Sequence, residues 1–311
     1  MKIDFLAIVN YCNIRIITQN RILRKIKSAK KVQSHEKISI AISTNNVFVK
    51  QTKIMMASLE NAGCLVKLYI LNVGLNGNEL DDIRSAAPSN VEVVVIPINA
   101  SNLGKLKISE KWPIEAWTRI LIPELIEDET VIYLDVDTVI VDKLTSLTKD
   151  VTNPIAGVLS TYYFRAGLAD KMPNAVNSGV LVMNKKQLIA MDFSNNILEF
   201  ARMNPDKLQM PDQDSINMVC RLCMKNIAPR FNAMNYFYSY TYRTISKYTK
   251  QGYYTKEDFC DALYKPAIIH FNGGPFARPW VTKGIKHPYY KIYKYYDKKI
   301  NSSNKGKWCD V

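Results

Sequence analysis

Three short apolar runs near the start of the chain leave few folds open. ISIAIS (38–43), CLVKLYIL (64–71) and VEVVVIP (91–97) are rich in β-branched and aliphatic residues, as strands buried on both faces are. Between them lie helical patterns at 52–61 and 78–87, the second opened by an Asn cap. Strands separated by helix-length segments cannot pair through tight hairpins; they form βαβ units around a parallel sheet. Ligands in such sheets sit beyond the carboxyl ends of the strands, which marks the polar cluster STNN (43–46) at the end of the first.

Further along, PIEAWTRILIPEL (113–125) reads as a helix with Pro123 late in it, leading into the strand VIYLDVDTVIV (131–141). IAGVL (155–159) and GVLVM (179–183) are further strands, separated by a long loop containing TYYFRAG. KKQLIAMDFSNNILEFAR and DQDSINMVCRLCM read as two helices. A Tyr-rich, irregular region at 231–265 precedes a last short strand, KPAIIHF (265–271). The alternation loses its regularity after residue 140, which suits one mixed α/β domain better than two symmetrical halves. The expected division is a basic extension at 1–36, a domain at 37–285 and a basic, Tyr-rich tail at 286–311.

The net charge of +14 is strongly localised. Arg15 to Lys31 holds seven basic residues and no acid, and Lys283 to Lys307 holds eight lysines against Asp297 alone. The two ends therefore account for the whole excess, and the neutral body offers no basic groove. A nucleic-acid partner is not expected. No uncharged apolar run approaches the ~20 residues of a membrane span, and FLAIV near the start lacks the flanks of a signal peptide. Six cysteines in 311 residues suggest no disulfide framework. Cys220 and Cys223 form a lone C-x-x-C in a helical pattern, where both fit the buried side. A reduced, cytoplasmic protein is the expectation.

VIYLDVDTVIV carries two carboxylates, Asp135 and Asp137, in an otherwise apolar strand. In extended chain, residues i and i+2 share a face, so two like charges converge. Three readings compete. The acids cap backbone amides at a solvated strand end, or they hold a divalent cation such as Mg²⁺ or Mn²⁺. The third is a phosphatase of the haloacid dehalogenase type, but its D-x-D-G-T is not matched: Thr138 follows Asp137 directly.

Downstream, AVNSGVLVMN (175–184) places small residues before a buried strand, and PDQD (211–214) opens a helix with Pro and acids. HFNGGPFARPW (270–280) follows a strand with His270, a Gly-rich turn and Arg278, a plausible diphosphate cradle. In this order, over about residues 38–285, the segments resemble glycosyltransferase family 8. That family comprises retaining enzymes of the GT-A fold and includes glycogenin and bacterial lipopolysaccharide galactosyl- and glucosyltransferases.

The resemblance implies a Rossmann-like mixed sheet flanked by helices and transfer of a hexose, galactose or glucose, from a UDP-sugar to a glycan or lipid-linked glycan. It implies nucleotide-sugar contacts from Ile42, Thr44 and Asn45, with Phe48 near the base, and from Arg119, Val136, Asn177, Ser178 and Gly273. Asp135, Asp137 and His270 would hold the metal, Mn²⁺ or Mg²⁺. Asp212 and Gln213 would lie beside the anomeric carbon, Gln213 offering its amide oxygen to the β face, with Arg278 on the diphosphate; PRFNAMNY (229–236) matches a further stretch of the family. Two departures stand out. The interval from His270 to the cation is two residues longer than the family's and ends in Arg, and Ser160, Thr161, Tyr162 and Tyr163 stand where members often place an Asp near the sugar.

In the tail, Tyr289, Tyr293 and Tyr296 recur at helical spacing among lysines. Such a stripe either packs on its own domain or adsorbs, with the basic N-terminus, to the anionic inner face of a membrane.

Overall fold

The computed structural model describes residues 5–28, 32–99, 114–149, 151–161, 174–248, 254–274 and 276–303. Among these, nine strands form two sheets. The strands are β1 (Val32–Thr44), β2 (Gly63–Asn72), β3 (Val91–Pro97), β4 (Thr130–Leu134), β5 (Thr138–Ile140), β6 (Ile155–Leu159), β7 (Val176–Asn184), β8 (Met224–Asn226) and β9 (Ile268–His270). The main sheet runs β3-β2-β1-β4-β7-β6-β8, parallel except for β7, which is antiparallel to both neighbours. This is the expected mixed α/β sheet flanked by helices, and its burial follows the strand period of two. Ile38, Ile40 and Ile42 pack on one face with Met55 and Met56 of helix Val49–Ser58, while Ala41 joins Trp117 and Ile120 on the other. Each such fully buried Ile contributes ~1.5–3 kcal/mol.

Strand order reverses between β1 and β4: β2 and β3 extend one way from β1, and β4 starts the other half. A crevice opens at such a switch point. There VIYLDVDTVIV does not run on as one strand. β4 stops at Leu134, Asp135 to Asp137 turn, and β5 leaves for a separate antiparallel ribbon with β9. The turn is closed on the Asp135 carbonyl by Thr138, through its backbone N–H at 3.2 Å and its Oγ1 at 2.8 Å. The two carboxylates converge through this turn, not through a continuous pleat.

Other boundaries shift for local reasons. The 113–125 helix is broken into turns Ile114–Trp117, Thr118–Leu121 and Ile122–Leu125, with Pro123 opening the last. The pattern from Lys185 splits into Lys185–Ala190 and Phe193–Met203, because Asp192 takes a left-handed φ of 52°. The second expected helix cap is Asn76, not Asn78, and its capping box closes with Glu79. Helix Pro211–Val219 ends before the C-x-x-C: Cys220 is buried, and Cys223 follows in the turn, partly exposed.

Both basic ends are packed. Helices Phe5–Asn13 and Gln19–Ser28, joined by a π-helical turn, place Ile14, Ile22 and Ile26 in one cluster with Tyr289, Tyr293 and Tyr296 around helix Tyr290–Ser303. Lys25 pairs with Asp142 at 2.7 Å, and Arg21 donates to the Tyr264 carbonyl. β1 itself begins at Val32, inside the expected extension. The membrane reading of the stripe fails on this packing: the three tyrosines are at most 2% exposed and cannot also meet a headgroup layer. Among the described residues no helix is long and apolar enough to cross a membrane.

Candidate active site

A cavity of about 670 Å³ opens at the switch point. Its floor is built by three strand ends. β4 delivers Asp135, whose N–H donates to the Gly179 carbonyl at the start of β7. The β5–β9 ladder sets Thr138 opposite His270, and Phe271 N–H bonds the Asp137 carbonyl at 2.9 Å. His270 is thereby fixed beside Asp137, with Nε2 3.0 Å from Asp137 Oδ1 and 3.9 Å from Asp135 Oδ2. One ligand atom from each of the three residues lies within 4.8 Å of the others.

The backbone dictates which nitrogen of His270 faces the carboxylates. Gly179 N–H donates to Asn177 Oδ1, so that atom is an acceptor, and Asn232 Nδ2 must be its second donor at 2.9 Å. Asn232 then presents Oδ1 to His270 Nδ1 at 2.8 Å, which makes Nδ1 the protonated nitrogen. In the neutral ring Nε2 carries a lone pair toward Asp137 Oδ1, itself buried without a hydrogen-bond partner. Two lone pairs at this distance need a cation between them: a metal ion or a second proton on His270. Burial pushes the His270 ring down, but the negative charge of Asp137, with that of Asp135 behind it, outweighs this and raises it above its usual 6.5. Burial pushes Asp137 up, yet His270 and then Arg278 hold it below the usual carboxylate range. Two carboxylate oxygens and an imidazole nitrogen, with the imidazole oriented by a further hydrogen bond, fit a divalent metal.

Gly179 permits this convergence. A Cβ there would press on His270 Cε1 and lie 2.5 Å from Asp135 Oδ2. Arg119, 5% exposed, locks the other side: Nη2 reaches Asp135 Oδ1 at 3.1 Å, Nη1 the Ser178 carbonyl at 2.5 Å and Nε lies 3.5 Å from Asp212 Oδ2. Its guanidinium lies 4.4 Å over the Tyr133 ring, whose hydroxyl donates to Asp135.

On helix Pro211–Val219 the acids divide their labour. Asp214 caps the backbone, accepting from Gln209 and Met210 N–H. Asp212 turns inward and accepts from Ser178 Oγ at 3.2 Å; burial, reinforced by Asp135 and only partly offset by Arg119, pushes it up. Gln213 Oε1 accepts from Asn177 Nδ2 and Ser178 N–H. Asn217, one turn on, clamps both backbone groups of Val176 and so holds β7 to this helix.

Asp135, Val136, Asp137, Asn177, Ser178, Asp212, Gln213, His270, Gly273, Arg119 and Arg278 all line the cavity. Arg278 stands at the rim, 45% exposed, with Nη2 3.9 Å from Asp137 Oδ2 and its guanidinium 5.8 Å over the Trp280 ring; the longer loop still brings it to the aspartate. The first strand end departs from expectation. The Ile42 and Thr44 side chains are fully buried, Thr44 against Thr52, and Asn45 caps Val47 and donates to Glu115. Ser43 and Phe48 line the cavity in their place, joined by Glu115. Ser160 and Thr161 line it too, while Tyr162 and Tyr163 lie outside the described residues. Glu115, Tyr133, Asn217 and Trp280 carried no sequence signal of their own, although Asn217, one helical turn after Gln213, sat where a face argument finds it; Ser43 lay in the STNN cluster and Asn232 in the PRFNAMNY stretch without being singled out.

A mixed sheet with a carboxylate pair and histidine at its switch point is the arrangement expected of a GT-A glycosyltransferase. The model of "Glycosyl transferase family 8" matches residues 17–284, and the chain belongs to that family. No curated protein matches it by sequence. Solved structures share the fold. The galactosyltransferase LgtC, crystallised with donor and acceptor sugar analogs, aligns with TM-score 0.71 at 19% identity over 84% of this chain and 96% of its own. The bifunctional glycosyltransferase WbbM gives 0.68 at 17% over 88% and 53%, and GlyE of Streptococcus pneumoniae TIGR4 gives 0.61 at 18% over 87% and 64%. The phosphatase alternative is not supported: family and fold are those of glycosyltransferases, and Asp135 Oδ1 is engaged by Tyr133 and Arg119.

Proposed function

We propose that this chain is a retaining, metal-dependent hexosyltransferase that moves galactose or glucose from a UDP-sugar to a glycan or lipid-linked glycan acceptor of the lipopolysaccharide, O-antigen or capsule kind. The observation that carries the metal is the convergence of Asp135, Asp137 and His270, one ligand atom from each lying within 4.8 Å of the others. Asp135, Asp137 and His270 hold the ion, and the imidazole favours Mn²⁺ over Mg²⁺. When bound, it supplies Lewis-acid stabilisation to the diphosphate.

The wall near Phe48 supports uridine as the nucleoside. Ser43 Oγ and Glu115 Oε2 line it as buried polar atoms without hydrogen-bond partners. A hydroxyl donor and a carboxylate acceptor complement the carbonyl and N3–H of uracil.

Arg278 donates to the leaving diphosphate as its charge grows, a charge-assisted contact that strengthens toward the transition state. Asp212 and Gln213 face the sugar. Both lone pairs of Gln213 Oε1 are engaged by Asn177 and Ser178, which favours a fixed dipole beside an oxocarbenium-like carbon over covalent attack. Calorimetry tests the reading: UDP binds with Mn²⁺ present and at least tenfold more weakly with chelator. Equal binding in both would remove the metal from donor recognition.

A further inference from the structure

Trp280 forms part of the donor cavity and also part of a second, smaller hollow of about 330 Å³. Lys50 on helix Val49–Ser58, Lys286, and Lys294 on helix Tyr290–Ser303 supply three ammonium groups to its wall. The one carboxylate there, Asp297, accepts from both Lys50 at 2.8 Å and Lys294 at 2.9 Å. Three cations against one anion leave a charge of +2 in one hollow. Lys286 has no carboxylate within 4 Å among the described residues; its Nζ rests 4.7 Å from the centre of the Tyr290 ring, which Lys294 also approaches at 5.7 Å.

A second feature is independent of the lysines. Tyr293 lines the hollow at 2% exposure, and its hydroxyl is buried without a hydrogen-bond partner. Burial, and then Asp297, push this phenol up, so it stays a donor at neutral pH. An ion-pair network built only to satisfy Asp297 needs neither Lys286 nor an unpaired buried hydroxyl, which is destabilising where it stands.

We propose that this second hollow binds a phosphate-bearing group. A phosphate monoester carries about two negative charges, matching the excess, a terminal diphosphate carries more, and either accepts hydrogen bonds from Tyr293 and the lysines together; a carboxylate matches only half the charge. The wall shared through Trp280 sets this group beside the donor cavity. On the transferase reading above, it is the phosphorylated end of the acceptor.

The test is calorimetric titration of the full chain with inorganic diphosphate at low salt. Chelator is present, so that no metal retains the probe in the donor cavity, and the titration is repeated with excess UDP. Saturable binding that persists with UDP, and that weakens tenfold or more in both Lys286→Gln and Tyr293→Phe, is the expected result. Tyr293→Phe should unfold at the same or a higher temperature, since it removes an unsatisfied buried group; weakened binding is then not a folding defect. No saturable binding, or binding unchanged in both variants, overturns the proposal. If UDP does not bind at all, the donor reading falls, and the two variants still decide the second hollow. Farnesyl diphosphate identifies the source: tenfold tighter binding than inorganic diphosphate indicates an isoprenoid-linked acceptor, and equal binding a soluble phosphate.

Discussion

Replacing Gly179 by Ala perturbs the proposed metal site and little else. The new Cβ would meet Asp135 Oδ2 at 2.5 Å and crowd His270 Cε1, while Asn177 Oδ1 at 3.2 Å is nearly tolerable. Ordinary contact starts near 3.4 Å, so Asp135 must retreat by ~0.9 Å, whereas metal–ligand distances tolerate ~0.2 Å. Neither neighbour gives easily. Arg119 and Tyr133 hold the Asp135 carboxylate, and Asn232 and the β5–β9 ladder hold the ring. Overpacking of this kind costs about 1–3 kcal/mol of stability. Mn²⁺ affinity should fall by two orders of magnitude or more, read by isothermal titration, with a modest loss of melting temperature. A Gly179→Ala protein that binds Mn²⁺ as the parent does would refute the argument that close approach over this glycine assembles the site.

Three further outcomes follow from named contacts. Glu115→Gln should weaken UDP binding roughly tenfold to hundredfold, since a hydrogen bond to a charged acceptor is worth ~1.5–3 kcal/mol; unchanged affinity for UDP counts against the uracil assignment. Asn232→Leu removes the acceptor that holds His270 Nδ1–H and should weaken Mn²⁺ binding by about 10–100-fold with little change in fold by circular dichroism. Asp142 ties Lys25 and Arg230 together. Burial raises its pKa, but the hydrogen bond from Lys25, the backbone N–H of Lys143 and the charges of Lys25 and Arg230 hold it below 3.8. Because the folded value is the depressed one, this contribution is present above pH 3.8 and is lost as pH falls through the lower, folded value. The stability gap between Asp142→Asn and parent in urea melts should therefore close in that acid window.

Much of the fold could be read because local pattern and tertiary role agree along β1 and β2: each is buried on both faces and is followed by a segment of helical period, while β3 at the sheet edge is only partly buried. The turn at Asp135 could not be read this way. Its cause is the partner β9, far along the chain, and locally VIYLDVDTVIV is as good a strand as any. The tyrosine stripe was ambiguous for a physical reason, since the same spacing serves a buried face and a membrane face; the N-terminal isoleucines that cover it decided the matter. Within the site, Asp135 and Asp137 stood out because charges in an apolar strand demand explanation, and His270 through the order of segments that resembles the family. Glu115 and Asn232 did not, because a polar residue in a short helical turn is ordinary until a cavity wall makes its unpaired atom or its partner visible.

The most direct test of the central claim is release of UDP from a panel of UDP-sugars by the purified chain, without acceptor, with Mn²⁺ and with chelator. Slow, Mn²⁺-dependent hydrolysis of one hexose donor is the predicted result and identifies the sugar at the same time. Absence of hydrolysis for every donor, together with absence of UDP binding, would contradict the account.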